Sequence, residues 1–219
     1  MGDPRKSRSK YKGPRHPWQA WRIEEEKGIK NEYGLKNKTE IWKAKSELRR
    51  LNAQAKRLIR ETSKGISQAV KEERQLLDRL HKLGLLNEGA TLSEVLALEL
   101  KDYLNRRLQT VVFKSGMAMT MKQARQFIIH GHISISGKKV TVPSYILKRG
   151  EEFVLTYNAN SSLHSEEHPE RIKKNKAKAA SDTLKASAEL AKKEAEKGEL
   201  TEEELEKIEK EIGTVDVEV

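Results

Sequence analysis

The sequence predicts an α+β fold: a basic helical region followed by a small domain of two helices and an antiparallel sheet. Three observations carry this. Apolar residues recur at helical spacing from about residue 38 to residue 128. From Ile133 the period drops to two, with Ile133 and Ile135 alternating with Ser134 and Ser136. Helical segments therefore precede strands instead of alternating with them, which separates α+β from α/β architectures.

Composition limits how much of the chain can be globule. Of 219 residues, 36% are hydrophobic and 35% charged, against a usual charged share of about 25%. Such a chain builds a small core and leaves arms, tails or solvated helix. It contains no cysteine, which removes disulfides, thiolate–zinc sites and a thiol nucleophile. No apolar run approaches the ~18 residues of a membrane span, and the basic N-terminal stretch lacks the apolar core of a secretory signal. The chain reads as soluble and intracellular.

The net charge of +11 is unevenly placed. Residues 1–60 carry +11, 61–100 carry −2, 101–160 carry +7 and 161–219 carry −5. Two basic blocks separated by a near-neutral spacer predict two contacts with a polyanion. A charge excess serving only solubility would be mixed along the chain.

Residues 1–36 read as a basic, extended arm. Pro14 and Pro17 push their predecessors out of helix. Arg15 and Trp18 are its candidate RNA contacts, the cation on phosphate and the ring on a base or on protein. The other reading is a disordered tail with a tryptophan anchored in its own domain. Residues 37–103 read as a helical region. Asn37 and Glu40 have capping-box spacing, and Ile41, Ala44, Leu48, Leu51, Ala55, Leu58 and Ile59 form the packed stripe. Lys43, Arg49, Arg50 and Arg57 fall mostly off that stripe, so one face packs and another is cationic. A second helix runs from about Ser67 to Leu83 and stops at Gly84.

Thr91 and Glu94 form another capping box, opening a helical run that lasts to Gly116. The compact domain is expected over residues 104–158. Thr120 and Gln123 cap its next helix, and Gly131 stands where a left-handed residue ends it. A hairpin turning at Gly137-Lys138 and a strand from Phe153 to Tyr157 complete it. Residues 159–219 read as a flexible acidic tail, helical in part near 199–212.

His130 and His132 raise the question of a metal or an acid–base site. A metal needs three or four ligands and acid–base work needs a tuned partner, yet no carboxylate lies between Asp102 and Glu151. Their sequence neighbours are Lys122, Arg125, Lys138 and Lys139, a set that donates to phosphate and 2′-hydroxyl. Helix C-terminal capping is a second use for His130, compatible with the first.

Residues 106–153, RRLQTVVFKSGMAMTMKQARQFIIHGHISISGKKVTVPSYILKRGEEF, resemble the S4-type RNA-binding domain, named after the fourth protein of the small ribosomal subunit. The Arg-Leu pair, the capped helix with Ala-Arg-Gln, His-Gly-His-Ile, the Gly-Lys turn and Pro-Ser-Tyr carry the likeness. By position the resemblance implies RNA contacts at Arg106, Arg107, Lys114, Thr120, Lys122, Arg125, Gln126, His130, His132 and Lys138, with Lys139 beside them. PRHPW and YGLKNKTEIWKAKSELRR extend the likeness over residues 10–158 to the archaeal-type ribosomal protein four family. The family implies a structural, non-enzymatic protein of the cytoplasmic small subunit. Its partners would be 16S rRNA, neighbouring small-subunit proteins and, indirectly, mRNA near the channel by which it enters. It would bind rRNA early and so nucleate assembly. Many bacterial members bind zinc through cysteines near the N-terminus that this chain lacks, so no cofactor carries over. A ribosome-assembly factor binding precursor rRNA through the same domain is the alternative. A pseudouridine synthase or tyrosine-charging synthetase would need a catalytic domain that the basic helices before residue 104 do not supply.

Overall fold

The computed structural model describes residues 11–172. Its spine is α2 (Lys38–Thr62), a 25-residue helix preceded by α1 (Ala20–Glu32) and followed by α3 (Ser67–Lys82). The apolar stripe of α2 is buried as its spacing requires except at Ile59, which is 39% exposed because adjacent Leu58 takes the core-facing position, and the stripe serves two cores. Ile41 and Ala44 pack with Ile29, Tyr33, Leu35 and Leu104. Leu48, Leu51, Ala55 and Leu58 pack with Ala69, Leu76, Leu80, Leu92 and Val95. Each buried aliphatic side chain contributes about 1.5–3 kcal/mol, so α2 is held along its length by tertiary packing more than by propensity.

The arm departs from its expected extended form. From Ala20 it is helical, and only residues 11–19 precede that helix among those described. Burial explains the change. Arg22 and Glu26, one turn apart, face α2 and pair at 2.7 Å, while the Trp42 Nε1–H donates to Glu26 at 2.9 Å. Arg22 also donates to the carbonyls of His16 at 3.0 Å and Pro17 at 2.7 Å, tying the chain before the helix to it. Burial alone would raise the Glu26 carboxyl, but the Trp42 and Arg22 hydrogen bonds and the charges of Arg22 and Lys38 outweigh it and hold it low.

The helical run from Thr91 also differs from expectation, dividing into α4 (Leu92–Ala97), α5 (Leu100–Asn105) and α6 (Leu108–Lys114). The Thr91–Glu94 capping box is present. Leu98 is extended, and Glu99 opens α5 with a box of its own, its N–H donating to Asp102 at 2.9 Å. Arg107 is extended at ψ 142° and bridges Ile146 antiparallel, which separates α5 from α6.

α7 (Met121–Ile129) begins at the Thr120 cap, whose hydroxyl accepts from Gln123 N–H at 3.2 Å. The sheet has order β2–β1–β3, with β1 (Ile133–Ile135) in the middle. β2 (Lys138–Lys139) pairs Ser134 with Lys139, and β3 (Leu155–Tyr157) pairs Ser134 with Thr156, both antiparallel. Being central, β1 is buried on both faces, Ser134 included, and the Ser134 hydroxyl is satisfied by Thr156 at 3.0 Å. The last strand is shorter than expected, because Glu151–Val154 forms a 3-10 turn. The Glu151 carboxylate accepts from Lys148 N–H and the Tyr145 hydroxyl, which curls the chain there and leaves Phe153 92% exposed.

The domain also continues past residue 158, where the flexible tail was expected to start. Leu163 is buried in the core of α6, α7 and the sheet. Ser161 reaches His132, Glu170 accepts from Gln123, and Arg171 lies over the Tyr157 ring at 5.1 Å. The remainder of the tail, with the helix expected near 199–212, and the first ten residues of the arm lie outside the described residues.

Candidate nucleic-acid interface

The candidate contacts fall into three groups, which the fold treats differently. The first sits at the seam between α2 and the compact domain. Glu40 on α2 accepts from Arg107 at 2.6 Å on one carboxylate oxygen and from Arg125 at 2.8 Å on the other, and Arg125 also reaches the first oxygen at 3.4 Å. Arg107 is only 4% exposed. Arg125 also donates to Gln109 Oε1 at 3.3 Å, and the Gln109 amide donates to the carbonyls of Met121 at 2.9 Å and Gly34 at 3.1 Å. Burial would raise the Glu40 carboxyl, but the Arg125 and Arg107 hydrogen bonds and charges hold it below its ordinary range. Glu40 is thus a clamp and not the expected cap: Asn37 makes no side-chain cap. Gly34 closes the same seam. At φ +55° a Cβ there would come within 2.8 Å of Met121 Cβ, a conformation and a contact that only glycine tolerates. Arg106 is spent on structure as well, donating to Leu83 O and Leu147 O and pairing with Glu152 at 2.5 Å.

A cleft of about 410 Å³ opens beside this clamp, with Lys43, Tyr103 and Ser144 on its walls. Lys43 also lies over the Tyr11 ring at 5.9 Å.

The second group clusters on α7 and the hairpin. Thr120, Lys122, Gln126, His130, Lys138 and Lys139 are exposed. The His130 and His132 rings stack with planes 8° apart and centroids 6.1 Å apart, and His132 Nδ1 lies 2.7 Å from the Ser161 hydroxyl. Burial first, and then the charges of His130, Lys139 and His168, lower the His132 pKa from its ordinary value, so its ring is neutral near pH 7. Gly131 brings the hairpin onto this cluster, since at φ +75° a Cβ would meet Lys139 Cε at 1.9 Å. Lys114 stands nearby in sequence, donating to Asn105 at 3.1 Å.

The third group lies on the arm and the outer face of α2. Arg15 and Arg49 line a hollow of about 220 Å³ with Lys12, His16, Lys45 and Trp42. Arg50 pairs with Glu47 at 3.1 Å and Arg57 with Glu72 at 2.7 Å, each keeping half its side chain in solvent. Trp18 is 90% exposed. A larger hollow of about 570 Å³ beside α3 mixes Glu73, Asp78 and Glu88 with Arg74 and His81, so its charge does not favour an anion. Among the described residues no group of three or more His, Cys, Asp or Glu is placed to hold a metal, and no helix is long and apolar enough to cross a membrane.

Residues 106–153 match the S4 domain family. Over 172 residues the chain is 51% identical to the small ribosomal subunit protein uS4 of Methanococcus aeolicus, covering 78% of this chain and 96% of that protein. Over 163 residues it is 49% identical to the protein of the same name from Methanothermobacter thermautotrophicus, covering 74% and 94%. The chain belongs to the uS4 family.

In this uS4 chain, sequence reasoning missed Glu40 as the seam's anchor, Gln109 as the buried amide beside it, and Lys12 and Lys45 in the arm hollow. Gln109 carried little signal: it stands among Asn105, Arg106, Arg107 and Thr110, and nothing in their spacing marks the buried amide that must find partners. Glu40 carried none that separates a clamp from a cap.

Proposed function

We propose that this protein is a structural constituent of the small ribosomal subunit that binds 16S rRNA directly and acts by positioning RNA, without catalysis. The observation that carries this is the near-complete coverage of uS4 relatives at about half identity. The physical reading agrees with it. One cationic surface comprises the arm hollow and the outer face of α2, and another comprises Lys122, His130, Lys138 and Lys139. The Glu40 clamp fixes the first to the second. Two sites held rigidly bind two RNA elements with the advantage of high effective concentration, and they set the angle between those elements. A protein that does so early nucleates assembly. Its family resemblance supports a position beside the channel by which mRNA enters.

Sedimentation of a native lysate tests this. After a high-salt wash the chain is expected to remain with mature small subunits. Appearance only with precursor particles would assign it instead to assembly, and release from both would overturn the reading.

A further inference from the structure

The solvent side of α1 has no part in that scheme, and its make-up is unlike the rest of a basic chain. Arg22, Glu26 and Ile29 are buried against α2. The opposite stripe runs Trp21, Glu24, Glu25, Gly28 and Glu32, spaced as neighbours on one helix face and all exposed. Trp21 is 65% exposed, and Trp18, just before the helix, is 90% exposed. Two indoles in solvent mark an interface, since large apolar groups there are favoured only when something covers them. The three carboxylates beside them, Glu24, Glu25 and Glu32, outnumber the exposed Lys27 on the same side and disfavour a phosphate backbone, so RNA is the poorer occupant.

Gly28 is an independent observation. It lies inside the helix, where glycine destabilises relative to alanine. A Cβ built on it meets nothing within 4 Å, so packing within the described chain does not demand glycine. Close approach of another backbone does.

We infer that this stripe docks a lysine- and arginine-rich segment of a neighbouring protein, which crosses α1 at Gly28. Its guanidinium groups stack on Trp21 and on Trp18, whose ring is thereby assigned to protein and not to a base, the favoured geometry for a cation over an indole, and pair with Glu24 and Glu25. Glu25 leans only loosely on Lys45, at 3.9 Å, and is free to change partner.

The test replaces Trp21 by benzoylphenylalanine in the full chain and irradiates purified small subunits, a choice that rests on the placement proposed above. The expected product is resistant to ribonuclease and contains a peptide of net positive charge from another protein. A crosslink to rRNA, a crosslink within the same chain, or no crosslink overturns the inference. Absence of the chain from the particles counts against the placement instead. The crosslink is then read, by the same criteria, in whichever complex carries the chain. As a second measurement, Gly28→Ala is expected to raise the Tm of the free chain by roughly 2–4 °C and to lower its retention in salt-washed particles several-fold. Unchanged retention overturns the close approach.

Discussion

Arg107 and Lys138 are both cations in a basic block, and their surroundings give them different work. Arg107 is buried on a carboxylate, whereas Lys138 stands in solvent at the hairpin. Glu40 keeps Arg125 when Arg107 is removed, so the loss is that of one charged hydrogen bond, about 1.5–3 kcal/mol. Arg107→Gln is therefore expected to lower Tm by roughly 3–12 °C, while Lys138→Gln leaves the melting curve almost unmoved. Thermal denaturation followed by circular dichroism separates the two. His132 makes a residue-scale prediction of another kind. Its folded pKa lies below the ordinary 6.5, so between the two values the unfolded chain binds the proton more tightly. Stability is full above pH 6.5 and falls as the pH drops toward the folded value. Imidazole resonances followed by NMR against pH should show His132 titrating below 6.5. A midpoint at or above that value would remove burial as the governing influence.

At the scale of elements, the best-read parts are those whose ends are written in local chemistry. α7 is framed by the Thr120 cap and Gly131, and both do what their types require. Thr120→Ala should cost about 1 kcal/mol, seen as a Tm lower by roughly 2–4 °C. The run from Thr91 to Ser115 was not legible in the same way. It contains neither glycine nor proline, and its apolar spacing continues across both breaks. The breaks come from Glu99 capping a new helix and from Arg107 being drawn out of helical geometry toward Ile146 and Glu40. The Arg107–Glu40 pairing joins residues 67 positions apart, and no local pattern encodes it. The first turn of α1 was hidden for a similar reason, since two prolines suggested extension while a buried Arg22–Glu26 pair favoured helix. Glu40 joins α2 to α6 and α7, so Glu40→Gln should loosen the seam as a unit. Hydrogen exchange is expected to quicken along α7 and the start of α2 together, with the α2–α3 core unchanged. The depressed Glu40 carboxyl sets the sign of the acid response. The clamp's contribution is present above the ordinary 4.5 and is lost as pH falls through the folded value.

For the whole molecule, the distribution of charge foretold the kind of partner better than the individual contacts. Two basic blocks are visible by counting, but counting cannot tell a lysine in solvent from an arginine already neutralised by a buried carboxylate. Of the positions implied by the S4-type resemblance, Arg106, Arg107 and Arg125 are largely committed within the fold, whereas Lys122, His130, Lys138 and Lys139 are exposed. Salt dependence separates these classes, because each phosphate neutralised releases condensed counterion and steepens the fall of log K with log salt. Full-length chain titrated with 16S rRNA over a series of salt concentrations gives that slope. Lys138→Glu with Lys139→Glu is expected to weaken binding at least tenfold and to flatten the slope by about 1–2, with no loss of Tm. Arg106→Gln is expected to do the reverse, lowering Tm while leaving the slope of the molecules that remain folded unchanged. An unmoved slope for the lysine pair would take the hairpin out of the interface, and a flattened slope for Arg107→Gln would show that the clamp opens on RNA and hands its arginines to phosphate. The rigid seam between α2 and the compact domain would then be a property of the free protein alone.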